Sequence, residues 1–162
     1  MKDILEILMD DARRSPAEIA KMTRKSVASV KKAIRDYEAN GTIVHYKAVV
    51  NPQMIQDRKT APVRALIEVS IIPQKDVGFD RVAERIYSFS EVKSCHLVSG
   101  SYDLLLVVEG EDIQTVAEFV SSKLSSMENV RQTATHFLLK KYKEDGHIFK
   151  APQQARRLNI SY

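Results

Sequence analysis

The 162-residue sequence predicts an α+β fold in two parts, an all-helical unit followed by one antiparallel sheet with helices on a single face. Three observations predict it. Ser15 to Glu38 reads as two short capped helices joined by a basic turn. Beyond residue 62, strand-like and amphipathic helix-like stretches follow one another in the order βαββαβ. The basic excess lies in the first part: residues 1–60 hold 12 Lys/Arg against 8 Asp/Glu, whereas 61–142 hold 9 against 11.

The N-terminal elements follow in order. Ile4, Leu5, Leu8 and Ala12 give the first helix an apolar stripe, and the acids inside MKDILEILMDD mark an amphipathic helix and not a signal peptide. Ser15 suits the N-cap of the second helix, Pro16 its first position, and Glu18 completes a capping box. The turn falls at about Met22–Lys25, and Ser26 caps the third helix. There Val27, Val30, Ile34 and Tyr37 form one apolar face. The opposite face carries Ala28, Ser29, Lys32, Arg35 and Asp36, with Lys25 and Lys31 at its margins. Asn40-Gly41 stops this helix. Ile43–Val50 is β-branched and aromatic and reads as a bridging strand, ended by Asn51-Pro52, and the polar stretch to Pro62 reads as a linker.

In the second part, residues 64–72 read as a strand closed by Pro73. A helix follows from about Phe79 to Phe89, with Val82, Ala83, Ile86 and Tyr87 on one side. Strands 92–98 and 103–109 form a hairpin about a turn centred on Gly100. A helix from Asp112 to about Ser125 carries Ile113, Val116, Ala117, Val120 and Leu124, and the last strand spans about 130–142. This is the split βαβ, ferredoxin-like order. The domains are therefore expected at 1–42 (helix-turn-helix, winged-helix-like), 43–62 (bridging strand and linker), 63–142 (ferredoxin-like oligomerisation domain, to which the family resemblance given below adds an effector role) and 143–162 (C-terminal extension). In the extension, Ile148, Phe149, Leu158 and Ile160 favour docking on a subunit over a loose basic arm. Leu104 to Val108 are apolar in succession, so both faces of that strand want burial. A second subunit is the simplest cover, and a two-fold homodimer would present two recognition helices to a palindromic site.

Composition excludes several classes. With 28% charged and 44% hydrophobic residues, the chain is an ordinary globular sequence. No apolar run approaches a membrane span. The single cysteine, Cys95, rules out an internal disulfide framework and fits a reducing cytoplasm. His45, His96, His136 and His147 are scattered, without the i, i+3 or i, i+4 spacing of a metal site. The 5 glycines do not cluster into a phosphate loop, and no nucleophile elbow occurs. No enzymatic activity, metal or cofactor is expected.

Double-stranded DNA is the partner that the helix pair and its charge predict. Lys25, Lys31, Lys32 and Arg35 would hold phosphates, with Arg24 assisting from the turn, while Ser26, Ala28 and Ser29 approach base edges. A rival reading is a stand-alone metabolite-sensing or feedback subunit, whose N-terminal helices dock a protein and not DNA. RNA recognition also uses a βαββαβ sheet, but strands 64–72 and 103–109 lack the aromatics on which bases stack.

The sequence Val98-Ser99-Gly100-Ser101-Tyr102-Asp103-Leu104 is similar to the Gly-x-Tyr-Asp turn of the Lrp/AsnC family of transcriptional regulators. Tyr37-Glu38-Ala39-Asn40-Gly41 resembles that family's Leu-Glu-x-x-Gly after the recognition helix, and Ile43, Tyr46, Ser26 and Val30 also fit. The resemblance covers roughly residues 3–142. It implies a dimer that often assembles further into octamers, binds promoter DNA and responds to an amino acid or related metabolite. By position, the implied effector-binding residues are Ser99, Gly100, Tyr102 and Asp103, with Thr133 and Thr135 lining the same cleft. A Gly turn offers backbone N–H groups to a carboxylate, and Asp103 offers a partner to an ammonium. Against this stands a purely structural role, with Gly100 at φ > 0, Tyr102 packed in an interface and Asp103 holding the turn. The chain departs from the family at Arg24-Lys25-Ser26, where Gly-Leu-Ser is common, and at Ala33, where Arg is frequent.

Overall fold

A computed structural model describes residues 3–52, 54, 62–72 and 78–150. The chain divides into two compact units, Met1–Val50 and Asn51–Tyr162.

The first unit holds α1 (Ile4–Asp10), α2 (Pro16–Thr23) and α3 (Val27–Ala39). Each begins on a side-chain cap. Asp3 caps α1 and Ser15 caps α2, both with complete capping boxes through Glu6 and Glu18, and Ser26 accepts the Ser29 N–H at the start of α3. These caps satisfy N–H groups that have no partner within the helix. The core is Ile4, Ile7, Leu8, Ile19, Ala20 and Val30, with Ala33, Ile34, Tyr37 and Ile43 packed against it. Burial of each large side chain is worth about 1.5–3 kcal/mol. Ile7 completes the α1 stripe, whereas Ala12 lies beyond the helix and is exposed. Val27 is also exposed, because α3 begins there and its first turn projects past the core.

The expected bridging strand is not one. Residues 44–50 make no ladder with any described strand. Their composition favours extended backbone, but a strand requires a neighbouring edge, and this stretch has none among the described residues. It is tied back to α3 instead. The Ile43 N–H donates to the Tyr37 carbonyl at 2.9 Å, and the Tyr46 hydroxyl donates to Glu38 at 3.0 Å.

The second unit contains β1 (Val63–Ile71), α4 (Gly78–Tyr87), β2 (Val92–Leu97), β3 (Leu104–Gly110), α5 (Ile113–Glu118) continuing as a π-helical segment Phe119–Leu124, and β4 (Val130–Phe137). The four strands form one antiparallel sheet in the order β2-β3-β1-β4, as a ferredoxin-like chain requires. On one face Ala65, Ile67, Val69, Leu104, Leu106 and Val108 are buried with Val82, Ile86, Val116, Phe119 and Leu124 from the helices. The register places Leu66, Glu68, Leu105, Val107, Ala134 and His136 on the other. In keeping with period-two alternation, Leu104, Leu106 and Val108 are buried while Leu105 and Val107 between them are only half-buried.

Three expectations for this unit change. Tyr87 is exposed, and Phe79 and Phe89 pack the α4 side of the core in its place. Ile113 and Ala117 also face outward. The helix widens into i→i+5 bonding after Glu118, with the Ser125 N–H reaching the Val120 carbonyl at 2.8 Å. That widening brings Phe119 and Leu124 to the sheet together, a phase that uniform α-helical spacing does not anticipate. The last strand ends at Phe137, and residues 143–148 turn back as a hairpin, β5 (Lys143–Glu144) paired with β6 (His147–Ile148). Asp145 and Gly146 both have positive φ there, so the turn cannot extend the strand. Ile148 is exposed and Phe149 buried, so part of the extension packs on its own unit. Leu158, Ile160, Pro73 and most of the linker lie outside the described residues.

Candidate nucleic-acid interface and effector turn

The residues expected at DNA share one solvent-facing surface. Arg24, Lys25, Ser26, Ala28, Ser29, Lys31, Lys32 and Arg35 are all exposed, while Val30 behind them is completely buried. The helix is therefore fixed by its inner face and leaves its outer face unencumbered. Lys32 pairs with Asp36 at 2.7 Å, an i, i+4 contact between exposed side chains. Such pairs are worth only about 0.3–0.5 kcal/mol, too little to hold Lys32 from a phosphate.

Arg24 caps α2 at φ 55°, ψ 32°, in the left-handed region. This is the position at which the Gly of the common family pattern is missing. The turn keeps the left-handed geometry a glycine would adopt readily, now imposed on an arginine. At the other end of α3, Gly41 takes φ +76° directly after the Asn40 cap. The Tyr37–Gly41 pattern thus has local causes: Gly41 turns the chain and Glu38 receives Tyr46.

At the far end of the second unit, residues 98–103 join β2 to β3. Ser99 and Gly100 are exposed; Tyr102 and Asp103 are half-buried. Asp103 is tied into the fold at three points. Its carboxylate accepts the Ile71 N–H at 2.7 Å, its own N–H donates to the Val69 carbonyl at 3.0 Å, and its carbonyl accepts the Val98 N–H at 2.9 Å. The first bond falls at the irregularity in β1 between Ser70 and Ile71, where the ladder to β4 shifts. Asp103 thus serves a backbone donor beside that irregularity. Gly100 departs from expectation, since it is not among the glycines with positive φ. A Cβ built there meets nothing within 4 Å, so neither backbone strain nor crowding within the chain demands glycine.

Thr133 and Thr135 pair with Val69 and Ile67 and share their helix-covered side of the sheet. Thr133 lies 3.4 Å from the Ser125 hydroxyl. β1 separates them from β3, and only Thr133 lies toward the turn's end of the sheet while Thr135 pairs at the middle of β1, so the threonines and the turn do not meet in a single cluster.

The opposite end has an open cleft of about 800 Å³ lined by Glu91, Lys93, Glu109, Gly110, Glu111 and Asp112. Its carboxylates serve the fold: Glu91 binds Lys123, Glu109 binds Arg64, and Asp112 caps α5. The salt bridge to Lys123 holds the Glu91 carboxyl below the usual carboxylate range. Among the described residues, no group of three or more His, Cys, Asp or Glu is placed to hold a metal ion. No helix among them is long and apolar enough to cross a membrane. Burial pushes the Cys95 thiol up, away from the reactive thiolate.

A capped three-helix unit with an exposed basic recognition helix, followed by a ferredoxin-like domain, defines a transcriptional regulator with separate DNA-binding and ligand-binding parts. Residues 1–44 match the family model for a winged helix-turn-helix DNA-binding domain, and residues 64–148 match that of the Lrp/AsnC ligand binding domain. The chain belongs to the Lrp/AsnC family. It is 43% identical over 159 residues to an uncharacterized HTH-type transcriptional regulator of Bacillus subtilis, covering 98% of this chain and 95% of that one. It is 27% identical over 143 residues to a proline dehydrogenase transcriptional activator of Rhizobium radiobacter, covering 88% and 89%. Among solved structures, a Neisseria meningitidis transcriptional regulator in complex with L-Met superimposes with a TM-score of 0.65 at 26% identity, covering 92% of each chain.

Proposed function

We propose that this regulator binds palindromic double-stranded DNA as a homodimer and that an amino acid or related metabolite, held near residues 99–103, changes that binding. The observation that carries the DNA reading is the outer face of α3 with the turn before it, where all eight candidate residues are exposed and the helix is anchored by a fully buried Val30. Lys25, Lys31, Lys32, Arg35 and Arg24 supply phosphate contacts, and Ser26, Ala28 and Ser29 allow close approach to base edges.

The effector reading is supported by the L-Met complex of the Neisseria relative and by the space around Gly100. Ser99 and Gly100 offer main-chain donors at the surface, Tyr102 a wall and Asp103 a carboxylate, with Thr133 toward the same end of the sheet and Thr135 two residues further along β4. The half-buried Leu66, Leu105, Val107 and Ala134 support a dimer joined sheet to sheet, open to further assembly such as an octamer. The protein acts in the cytoplasm as a regulator and not an enzyme, without metal or cofactor.

Titration against a fluorescent fragment of its own upstream region, at two salt concentrations and with and without pooled amino acids, tests this directly. Tight binding that weakens with salt and shifts with the pool is the expected outcome. No affinity for this fragment or for random DNA would overturn the DNA reading, and indifference to every amino acid would overturn an amino-acid effector and leave only a related metabolite.

A further inference from the structure

Sequence periodicity assigns Val27 to the apolar face of α3, yet the structure leaves it 41% exposed and outside the core that Val30, Ala33, Ile34 and Tyr37 join. Folding gives no reason for a valine there. The side chain adds nothing to the core, and a β-branched residue gains nothing from helix propensity. Val27 is the first residue of α3, directly after the Ser26 cap. The first turns of α1 and α2 each carry a glutamate, Glu6 and Glu18, that completes a capping box. The first turn of α3 has no acid, and Ser29 stands where that glutamate would be. The start of the recognition helix is therefore free of carboxylates, and Val27 and Ala28, both exposed, make it apolar.

The chemistry of base edges singles out one partner for such a surface. In a helix-turn-helix, the N-terminal residues of the recognition helix contact base edges in the major groove. Between Arg24 and Arg35 there is no Asn, Gln, Asp or Glu, so no side chain there reads adenine bidentately or accepts from the cytosine amino group. The apolar group that bases display in the major groove is the C5 methyl of thymine. We propose that Val27, with Ala28 beside it, reads thymine through that methyl group and is a specificity-determining residue of each half-site. The Ser29 N–H donates to Ser26 Oγ at 3.2 Å and holds the first turn in place. Valine is stiff at χ1, so the contact orders little that is not already ordered. The lysines and arginines around it remain with the phosphates.

This inference rests on the DNA-binding dimer proposed above and narrows what it recognises. Its test compares two versions of the upstream fragment, one made with thymidine and one with deoxyuridine throughout, which lacks only the methyl group. Loss of one buried methyl should weaken binding about fourfold in each half-site, equivalent to about 0.8 kcal/mol. Across two half-sites wild type should therefore bind the deoxyuridine fragment about tenfold or more weakly. Val27→Ala should bind the thymidine fragment more weakly than wild type does, and should lose no more than about threefold on deoxyuridine. Its thermal unfolding and salt slope should match those of wild type, because Val27 is outside the core and carries no charge. Val27→Ile should keep the discrimination. Equal affinity of wild type for the two fragments would overturn the thymine reading while leaving DNA binding in place. A deoxyuridine loss as large in Val27→Ala as in wild type would overturn Val27 as the reader, since duplex shape or another residue would then cause it. Wild type that binds neither fragment would overturn the DNA reading and this inference with it.

Discussion

Arg24 shows how much a single residue can carry and how little of it a sequence displays. The basic turn was legible, but its left-handed backbone was not, because arginine gives no hint of positive φ. Arg24→Gly should stabilise the N-terminal unit by about 1 kcal/mol through relief of that conformation, while weakening DNA binding by loss of a cation. Thermal unfolding and a salt-dependent DNA titration on the same sample separate the two effects. Asp103 presents the converse case. Its place in the Gly-x-Tyr-Asp motif was evident from sequence, but its bond to the Ile71 N–H depends on an irregularity in β1 that no local pattern announces. Asp103→Ala would leave that donor unpaired at a cost of about 1–3 kcal/mol and confuse any reading of effector response. Asp103→Asn keeps an acceptor and removes the charge. It should fold with near-native stability and lose the amino-acid response; a full response in calorimetry or DNA titration would remove Asp103 from the effector site.

At the scale of elements, legibility follows how local the cause is. The caps Ser15 and Ser26 and the stop at Asn40-Gly41 depend on residues within a turn of one another, and each stands where the sequence puts it. Residues 43–50 were misread because strand propensity describes only one side of a ladder. In the 112–125 helix, uniform spacing misses Phe119 beside Leu124, because a wide turn follows from their packing and not from any single residue's preference. For α3, Lys32→Ala should weaken binding to every sequence alike. It should also lower the slope of log K against log salt by about one for each phosphate left without its lysine in each half-site. An unchanged slope would show that Lys32 stays with Asp36 in the complex.

For the whole molecule, the sequence disclosed the order of the parts and the apolar run in β3, but not where the second unit ends. The C-terminal hairpin is stabilised by ion pairs spread over residues 64, 109, 141 and 144, which no window of sequence brings together. The open sheet face yields a direct test of assembly. Leu105→Lys places a charge on that face without touching the helix-covered core, so each subunit should stay folded. Sedimentation should then show a monomer where wild type shows a dimer or larger species, and DNA affinity should drop with the loss of two-site binding. A dimer that survives Leu105→Lys would move the subunit interface to another surface.

The π-helical segment also bears on how this family's sequences change length. A wide turn holds one residue more than an α-helix needs to cover the same distance, so Phe119–Leu124 is a place where the chain can lose a residue without losing the helix. Removing one position between Phe119 and Leu124 brings them to ordinary i, i+4 spacing, still facing the sheet. Single-residue gaps in this stretch of related chains are then changes of helical winding and not of loop length. An alignment that pushes such a gap into the neighbouring turn would pair every later residue of the helix with the wrong partner.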